Sequence, residues 1–494
     1  MTGPADTHDA SGAGRLVVRG GALRVVGYGF GAALSVLGAA LVTRHLGASD
    51  YGRFQTVVAL ATIVAALSDL GISTLGLREY SHRSGTDRED FLRMLLTLRV
   101  LLSLVAIPAT VLAAVALGYD ATMVGGAALQ GAGVLLAGVA TTLTVPLSAE
   151  LRLGTLAVLD VLRQGVTTGS YALLVVAGAG LGTFFGVAPV AAVAVLAATI
   201  ALVAGRYPLR PRLAAGMWRG VVRPALTFGV ATASGQAYIY TALVLCGLVT
   251  TAHETGLFAA SFRVYLVVAV VPGILVTGAF PVLARAARER DGDPDGGPAT
   301  RLGAMVAPLA GTTAALGGAA ALTCALGAPA IIAVVAGDGF DGAIGVLRVQ
   351  GLALGLTFVI AALGFTLLAD HRHRAIALSN LLALVVSAVT VLVLAHHHGA
   401  RGAAWATVLG EAVLAGAYLV ALRRAIPGLA VGLGRLLRVL AGAGLGAAAG
   451  ALPGLPSVPA TAIGLAVYGA VLLASGALPP EVRAHLPGLG RSAT

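Results

Sequence analysis

Residues 302–325 read LGAMVAPLAGTTAALGGAAALTCA and contain no charged side chain. An α-helix of about 20 apolar residues is long enough to cross the hydrocarbon core of a bilayer. Similar stretches recur along the chain, in which 58% of the residues are hydrophobic and only 11% are charged. The sequence therefore predicts an all-α polytopic membrane protein.

The chain contains fourteen apolar stretches, and we interpret each as a transmembrane helix. These spans lie at residues 24–43, 54–77, 93–118, 121–147, 156–178, 182–205, 222–250, 256–281, 302–325, 343–368, 374–395, 402–422, 436–452 and 459–478.

The basic residues set the predicted orientation. All 32 are arginine, and 27 of them, Arg99 and Arg163 included, are assigned to alternate gaps, to the ends of the spans beside these gaps or to the tails. Short cytoplasmic loops retain basic residues, whereas translocated loops do not. We therefore predict a multi-pass protein of the cell membrane with both termini cytoplasmic. The net charge of +11 is spread over these loops, which favours anionic lipid as its neighbour and excludes nucleic acid as a partner.

A short repeat divides the chain into two halves. The sequence DYGRF at 50–54 begins the second span and ETGLF at 254–258 begins the eighth, an offset of 204 residues. Six spans in each half give parallel repeats, so we predict two six-helix lobes and two additional C-terminal helices. The predicted divisions are a disordered cytoplasmic tail at 1–20, an N-terminal lobe at 21–205, a basic cytoplasmic linker at 206–221, a C-terminal lobe at 222–425, the two additional helices at 426–480 and a cytoplasmic tail at 481–494. The polar stretch 285–301 is predicted to be a flexible cytoplasmic loop.

Four segments resemble motifs of a known family. RHLGASDYG at 44–52 resembles its R-x-L-G-x-x-x-Y-G turn, and ETGLFAASFR at 254–263 is similar to its E-x-G-x-Y-x-A-A-x-R segment. AFPVLAR at 279–285 and GARGAAWAT at 399–407 resemble its F-P-x-x-(S/A)-R and G-x-x-G-A-A-x-A-T segments. Over residues 20–425 the chain thus resembles the polysaccharide-transporter branch of the multidrug/oligosaccharidyl-lipid/polysaccharide exporters, the Wzx-type O-antigen flippases.

The resemblance implies a flippase and not an enzyme. Its substrate would be a polyprenyl-pyrophosphate-linked oligosaccharide, moved by alternating access from the cytoplasmic to the outer leaflet for cell-surface polysaccharide synthesis. Membrane lipids would be its neighbours, and a glycan polymerase or glycosyltransferases are possible partners. We expect no cofactor and no metal, and leave open whether membrane potential, H⁺ or Na⁺ drives transport.

Three other functions stay open, namely a cation- or proton-coupled drug exporter on the same fold, a lipid II flippase and a non-transporting scaffold. Many family members carry Y-x-R-x-D in helix seven, whereas here Tyr240 is followed by Ala242 and Val244. The missing acid argues against the drug exporter.

Arg263 is the first candidate for the substrate path, because a charge facing lipid costs at least ~2.5–3.5 kcal/mol and the planar guanidinium matches a pyrophosphate. Its alternative is an extended side chain that reaches the outer headgroups. Arg44 and Arg53 flank the first predicted outer turn. Each either contacts the substrate or anchors the protein at the membrane interface. Gln236 and Tyr240 are four residues apart, so they share a helix face that either lines a sugar path or bonds to another helix.

Other polar residues inside the spans are expected to be buried. Asp69 and Glu411 either take part in ion coupling, through a proton or Na⁺, or pair with a neighbouring helix. Asp160 and Arg163 in the fifth span belong to the same group. The three histidines at 396–398 have no companion carboxylate or cysteine, so we predict an outer loop there and not a metal site.

Overall fold

A computed structural model describes residues 7–69, 71–207, 215–292, 301–426, 429 and 432–477. All regular secondary structure in these ranges is helical, which confirms the predicted fold class. The helices are α1 (Thr7–Asp69), α2 (Ile72–His82), α3 (Gly85–Ala116), α4 (Ala121–Leu143), α5 (Val145–Ala149), α6 (Leu153–Val176), α7 (Leu181–Phe184), α8 (Val187–Val203), α9 (Ala215–Val249), α10 (Ala252–Gly292), α11 (Arg301–Val335), α12 (Asp341–Ala369), α13 (His373–Ala425), α14 (Leu433–Gly450) and α15 (Ser457–Ser475).

The protein is a multi-pass membrane protein. Nine helices in the described ranges are long and apolar enough to cross a bilayer. Two of these helices each consist of two helical segments. Helix α1 is interrupted at Gly47 (φ 68°), and α13 is interrupted at Gly399 (φ 57°). These backbone angles favour glycine, which has no Cβ to clash. The total of fourteen spans stays a prediction.

Three boundaries differ from those predicted. Helix α1 ends at Asp69 and α2 begins at Ile72, so the second span is interrupted. Helix α10 continues to Gly292 through the stretch predicted to be a loop, and residues 293–300 of that stretch lie outside the described residues. The histidines at 396–398 are also helical, at the end of the first part of α13, and are exposed. Hydropathy marks the part of a helix that suits lipid, whereas the helix itself can continue into water.

The chain forms two compact units, Met1–Leu46 with Arg53–Tyr240 and Gly47–Gly52 with Thr241–Thr494. In the first unit, α4 packs on both α3 and α8. In the second unit, α12 packs on α10, α11 and α13, and α14 and α15 both pack on α11. The predicted tails, lobes and linker, including the tail at 1–20 that overlaps the start of α1, stay predictions.

The two repeated motifs contact each other within the second unit through their glycines. A Cβ on Gly256 would overlap the carbonyl group of Ala48, and a Cβ on Gly52 would overlap the carbonyl oxygen of Ala252. The contact is reciprocal, because Ala48 and Ala252, like Gly52 and Gly256, are 204 residues apart. Glycine permits this close approach of two backbones.

Two of the motifs that carry the family resemblance also meet in the second unit. The Oε2 atom of Glu254 accepts a hydrogen bond of 2.7 Å from the backbone N–H of Ala400, the residue after the Gly399 break. A carboxylate in this position satisfies an amide at the start of a helical segment. The 254–263 and 399–407 motifs are therefore linked by a hydrogen bond that stabilises the fold.

Candidate functional site

A cavity of about 830 Å³ lies inside the first unit. This volume is within the range of about 300–1,000 Å³ that is typical of ligand pockets. Its walls come from α1 to α6 and from α8, and combine small apolar residues, chiefly alanine and valine, with serine, threonine and tyrosine hydroxyl groups. The lining extends from Val58, near the predicted outer end of the second span, to Ser148, in a predicted cytoplasmic gap.

One wall of the cavity holds a hydrogen-bonded ion pair between helices. The Nη2 atom of Arg99 donates to Asp69 Oδ1 at 2.5 Å and to Ser73 Oγ at 2.7 Å, and its Nε atom donates to Thr142 Oγ1 at 3.0 Å. The interruption between α1 and α2 lies between Asp69 and Ser73, and the Ser73 hydroxyl also donates to Asp69. Only 4% of the Arg99 side chain is exposed. Its charge is therefore compensated and its position constrained.

Arg99 lies inside a helix and not in a gap between helices, so this part of its assignment was wrong. The residue lies in α3, within the predicted span 93–118, and is buried. A charged residue inside an apolar span was the signal that could have identified it.

A second pair of charged residues, Asp160 and Arg163, lies on α6 and lines the same cavity. The Arg163 Nη2 and Asp160 Oδ1 atoms are 4.0 Å apart, and 60% and 70% of the two side chains are exposed. The expectation that both are buried was wrong, because the open cavity beside α6 leaves them accessible. Such a long and exposed ion pair contributes little energy, so either partner can be exchanged for a ligand at small cost.

Of the other predicted site residues in the first unit, Asp69 lines this cavity, whereas Arg44, Arg53, Gln236 and Tyr240 are not among its described lining residues. The structure places Arg44 and Gln236 at exposed positions and Tyr240 at a half-buried one. Arg53 forms an ion pair with Asp120 at the start of α4.

The second unit contains the remaining two candidates. Glu411 is 4% exposed, and it accepts hydrogen bonds from the Tyr265 hydroxyl at 3.0 Å and the Thr357 hydroxyl at 3.1 Å. Arg263 is half-buried on α10, two residues before Tyr265. The structure thus joins Glu411 to polar groups of two neighbouring helices, α10 and α12.

Comparison with solved structures defines the fold as that of the multidrug/oligosaccharidyl-lipid/polysaccharide exporters. The protein resembles the lipid II flippase MurJ in an inward closed conformation, with a TM-score of 0.73 and 11% identity over 91% of this chain and 97% of that chain. It resembles an inward-facing multidrug resistance MATE transporter of that superfamily with a TM-score of 0.63 and 14% identity, over 80% and 94% of the two chains. A superfamily transporter from Pyrococcus furiosus, described as having reversed polarity in its binding pocket, gives a TM-score of 0.57 and 15% identity over 84% and 96%.

The sequence also identifies the family. The model of the family described as "Polysaccharide biosynthesis protein" matches residues 17–287, more than half of the chain. The chain therefore belongs to the polysaccharide biosynthesis protein family, and the resemblance drawn from its motifs is confirmed. Comparison with curated protein sequences gave no match.

Proposed function

We propose that the protein moves the headgroup of a polyprenyl-pyrophosphate-linked oligosaccharide from the cytoplasmic to the outer leaflet of the cell membrane, by alternating access. The observation that carries the proposal is the cavity of about 830 Å³, whose walls carry hydroxyl and charged side chains, in a member of the polysaccharide biosynthesis family. Sugar hydroxyls and phosphates cannot cross hydrocarbon without polar partners. The cavity offers such partners, while the polyprenyl chain can stay in lipid.

Arg163 is the residue that we propose for the pyrophosphate contact. Arg163 is among the residues that line the cavity and its side chain is 60% exposed, whereas Arg99 already donates hydrogen bonds to Asp69, Ser73 and Thr142. Arginine donates two parallel hydrogen bonds to phosphate oxygens, and these bonds are stronger than those between neutral groups. Serine and threonine residues of the same lining, including Thr144 and Ser148, carry hydroxyl groups that can bond to sugars.

The experiment is lipid analysis by mass spectrometry in cells that lack the gene. The proposal predicts that polyprenyl-pyrophosphate-linked oligosaccharide accumulates and that the wild-type gene removes it. Arg163→Ala should raise the residual accumulation several-fold, because the variant loses the charge-assisted hydrogen bonds to the pyrophosphate. Arg288→Ala is the matched control, because Arg288 is exposed on α10 and lies outside the described cavity lining.

Each alternative predicts a different result in this experiment. Accumulation of lipid II would support a lipid II flippase. An unchanged lipid profile with new sensitivity to cationic drugs would support a drug exporter. An unchanged profile with loss of a glycan-synthesis complex would support a scaffold. Any of these three outcomes would contradict the proposed function.

A further inference from the structure

The charges that line the cavity of the first unit balance. Among its described lining residues, two are arginines, Arg99 and Arg163, and two are aspartates, Asp69 and Asp160. Each arginine lies beside one of the aspartates, at 2.5 Å and 4.0 Å. The formal charges of these four residues therefore cancel, and this lining does not form the strongly cationic surface that a polyanionic glycan would need.

The two aspartates differ in how they meet a ligand. Asp69 faces the guanidinium of Arg99 and the hydroxyl of Ser73, so its charge is compensated at short range. Asp160 is 70% exposed and meets Arg163 only at the limit of an ion pair. Of the two aspartates, Asp160 is therefore the one whose carboxylate is more accessible to a ligand in the cavity.

This carboxylate discriminates between sugars by their charge. If the pyrophosphate binds Arg163, the charge of Asp160 loses its nearest counterion and faces the adjoining sugars. Neutral sugars can donate hydroxyl hydrogens to a carboxylate, whereas the carboxylate of a uronic acid is repelled by it. Repulsion of an unwanted ligand is a usual source of specificity.

We infer that the protein carries glycans built of uncharged sugars and that Asp160 is the residue that discriminates against acidic ones. The inference rests on the proposed function and names the substrate class of the same cavity. The only anion in the cargo is then the pyrophosphate of the carrier lipid.

The test uses cells that lack their own flippase and make one of two lipid-linked repeats of equal length. One repeat contains only neutral hexoses, and in the other a single hexose is replaced by a uronic acid. Wild-type protein should export the neutral repeat better than the acidic one by a few-fold, because the carboxylate of Asp160 repels a like charge in the cavity and solvent around this exposed group weakens that repulsion. Asp160→Asn should raise the ratio of acidic to neutral export by a similar factor, and Asp160→Glu should keep the wild-type ratio.

The outcomes separate this inference from the proposed function. If the wild type exports both repeats equally, or if Asp160→Asn leaves the ratio unchanged, the inference is wrong although the protein is a flippase. If the wild type exports neither repeat, the proposed function itself fails. The comparison of the two repeats in the wild type does not depend on the folding of any variant, and membrane levels of the variants are measured by immunoblot.

Discussion

Arg99 and Arg163 line one cavity but have different chemistry because of their surroundings. Three hydrogen-bonding side chains hold Arg99, whereas Arg163 has one distant acidic neighbour on its own helix. The sequence alone could place each arginine on a helix, but the partner of Arg99 is 30 residues away and depends on how two helices pack. Of the residues predicted for the substrate path or for ion coupling, Asp69 alone lines this cavity in the described part of the chain.

Asp120 connects the start of α4 to α1. Its Oδ1 atom accepts hydrogen bonds from the backbone N–H groups of Thr122 and Met123 at 2.9 and 3.1 Å, and Arg53 pairs with its other oxygen. Burial alone would raise the pKa of Asp120, but the hydrogen bonds and the charge of Arg53 outweigh it and hold this pKa below its usual value of 3.8. The acid form of the residue is thus disfavoured in the folded protein.

The lowered pKa of Asp120 predicts how stability depends on pH. A carboxyl group with a lower pKa in the folded state adds stability that is fully present above its unfolded pKa and is lost as the pH falls through its folded pKa. The thermal unfolding temperature of the wild type should therefore exceed that of Asp120→Asn near neutral pH, and the difference should shrink below pH 3.8. A difference that stays constant into this acid range would show that the charge of Asp120 does not contribute.

At the scale of helices, the pattern of apolar stretches predicted most elements, while their interruptions needed the structure. Gly47, Gly71 and Gly399 mark breaks, but many other glycines lie within unbroken helices, so glycine alone does not locate a break. The repeat at an offset of 204 residues was visible in the sequence. Its physical basis, the reciprocal packing of Gly52 and Gly256 on opposite carbonyl groups, was not.

The reciprocal glycine contact predicts that two glycine-to-alanine substitutions on α10 change the stability of the protein in opposite directions. Gly256→Ala would drive a methyl group into the backbone of Ala48, and such overpacking typically costs about 1–3 kcal/mol. Gly278→Ala meets nothing within 4 Å and should stabilise the helix by about 0.5–1 kcal/mol. Thermal unfolding of both purified variants in detergent tests this prediction. Equal stability of the two variants would show that the contact tolerates a side chain.

At the scale of the whole molecule, the composition and the pattern of basic residues were sufficient to identify a membrane protein. Four short motifs were sufficient to identify its family. The cavity could not be predicted, because its lining residues come from seven helices and are separated by up to 137 positions, from Val58 to Val195. The glycan specificity proposed for Asp160 depends on this packing. Residue types and their spacing do not show which side chains of different helices line the same cavity.

The central claim is that the headgroup of the lipid-linked glycan passes through the cavity of the first unit. Its most direct test is the transfer of a polyprenyl-pyrophosphate-linked neutral oligosaccharide across vesicles that contain the purified protein, followed with a membrane-impermeant lectin. Ala137→Trp fills the cavity from an exposed lining position, and Leu112→Trp adds the same side chain at an exposed position of α3 outside the described lining. We predict transfer by the wild type and by Leu112→Trp, and a rate at least roughly tenfold lower for Ala137→Trp, equivalent to about 1.4 kcal/mol. Transfer by Ala137→Trp at the wild-type rate would contradict the account.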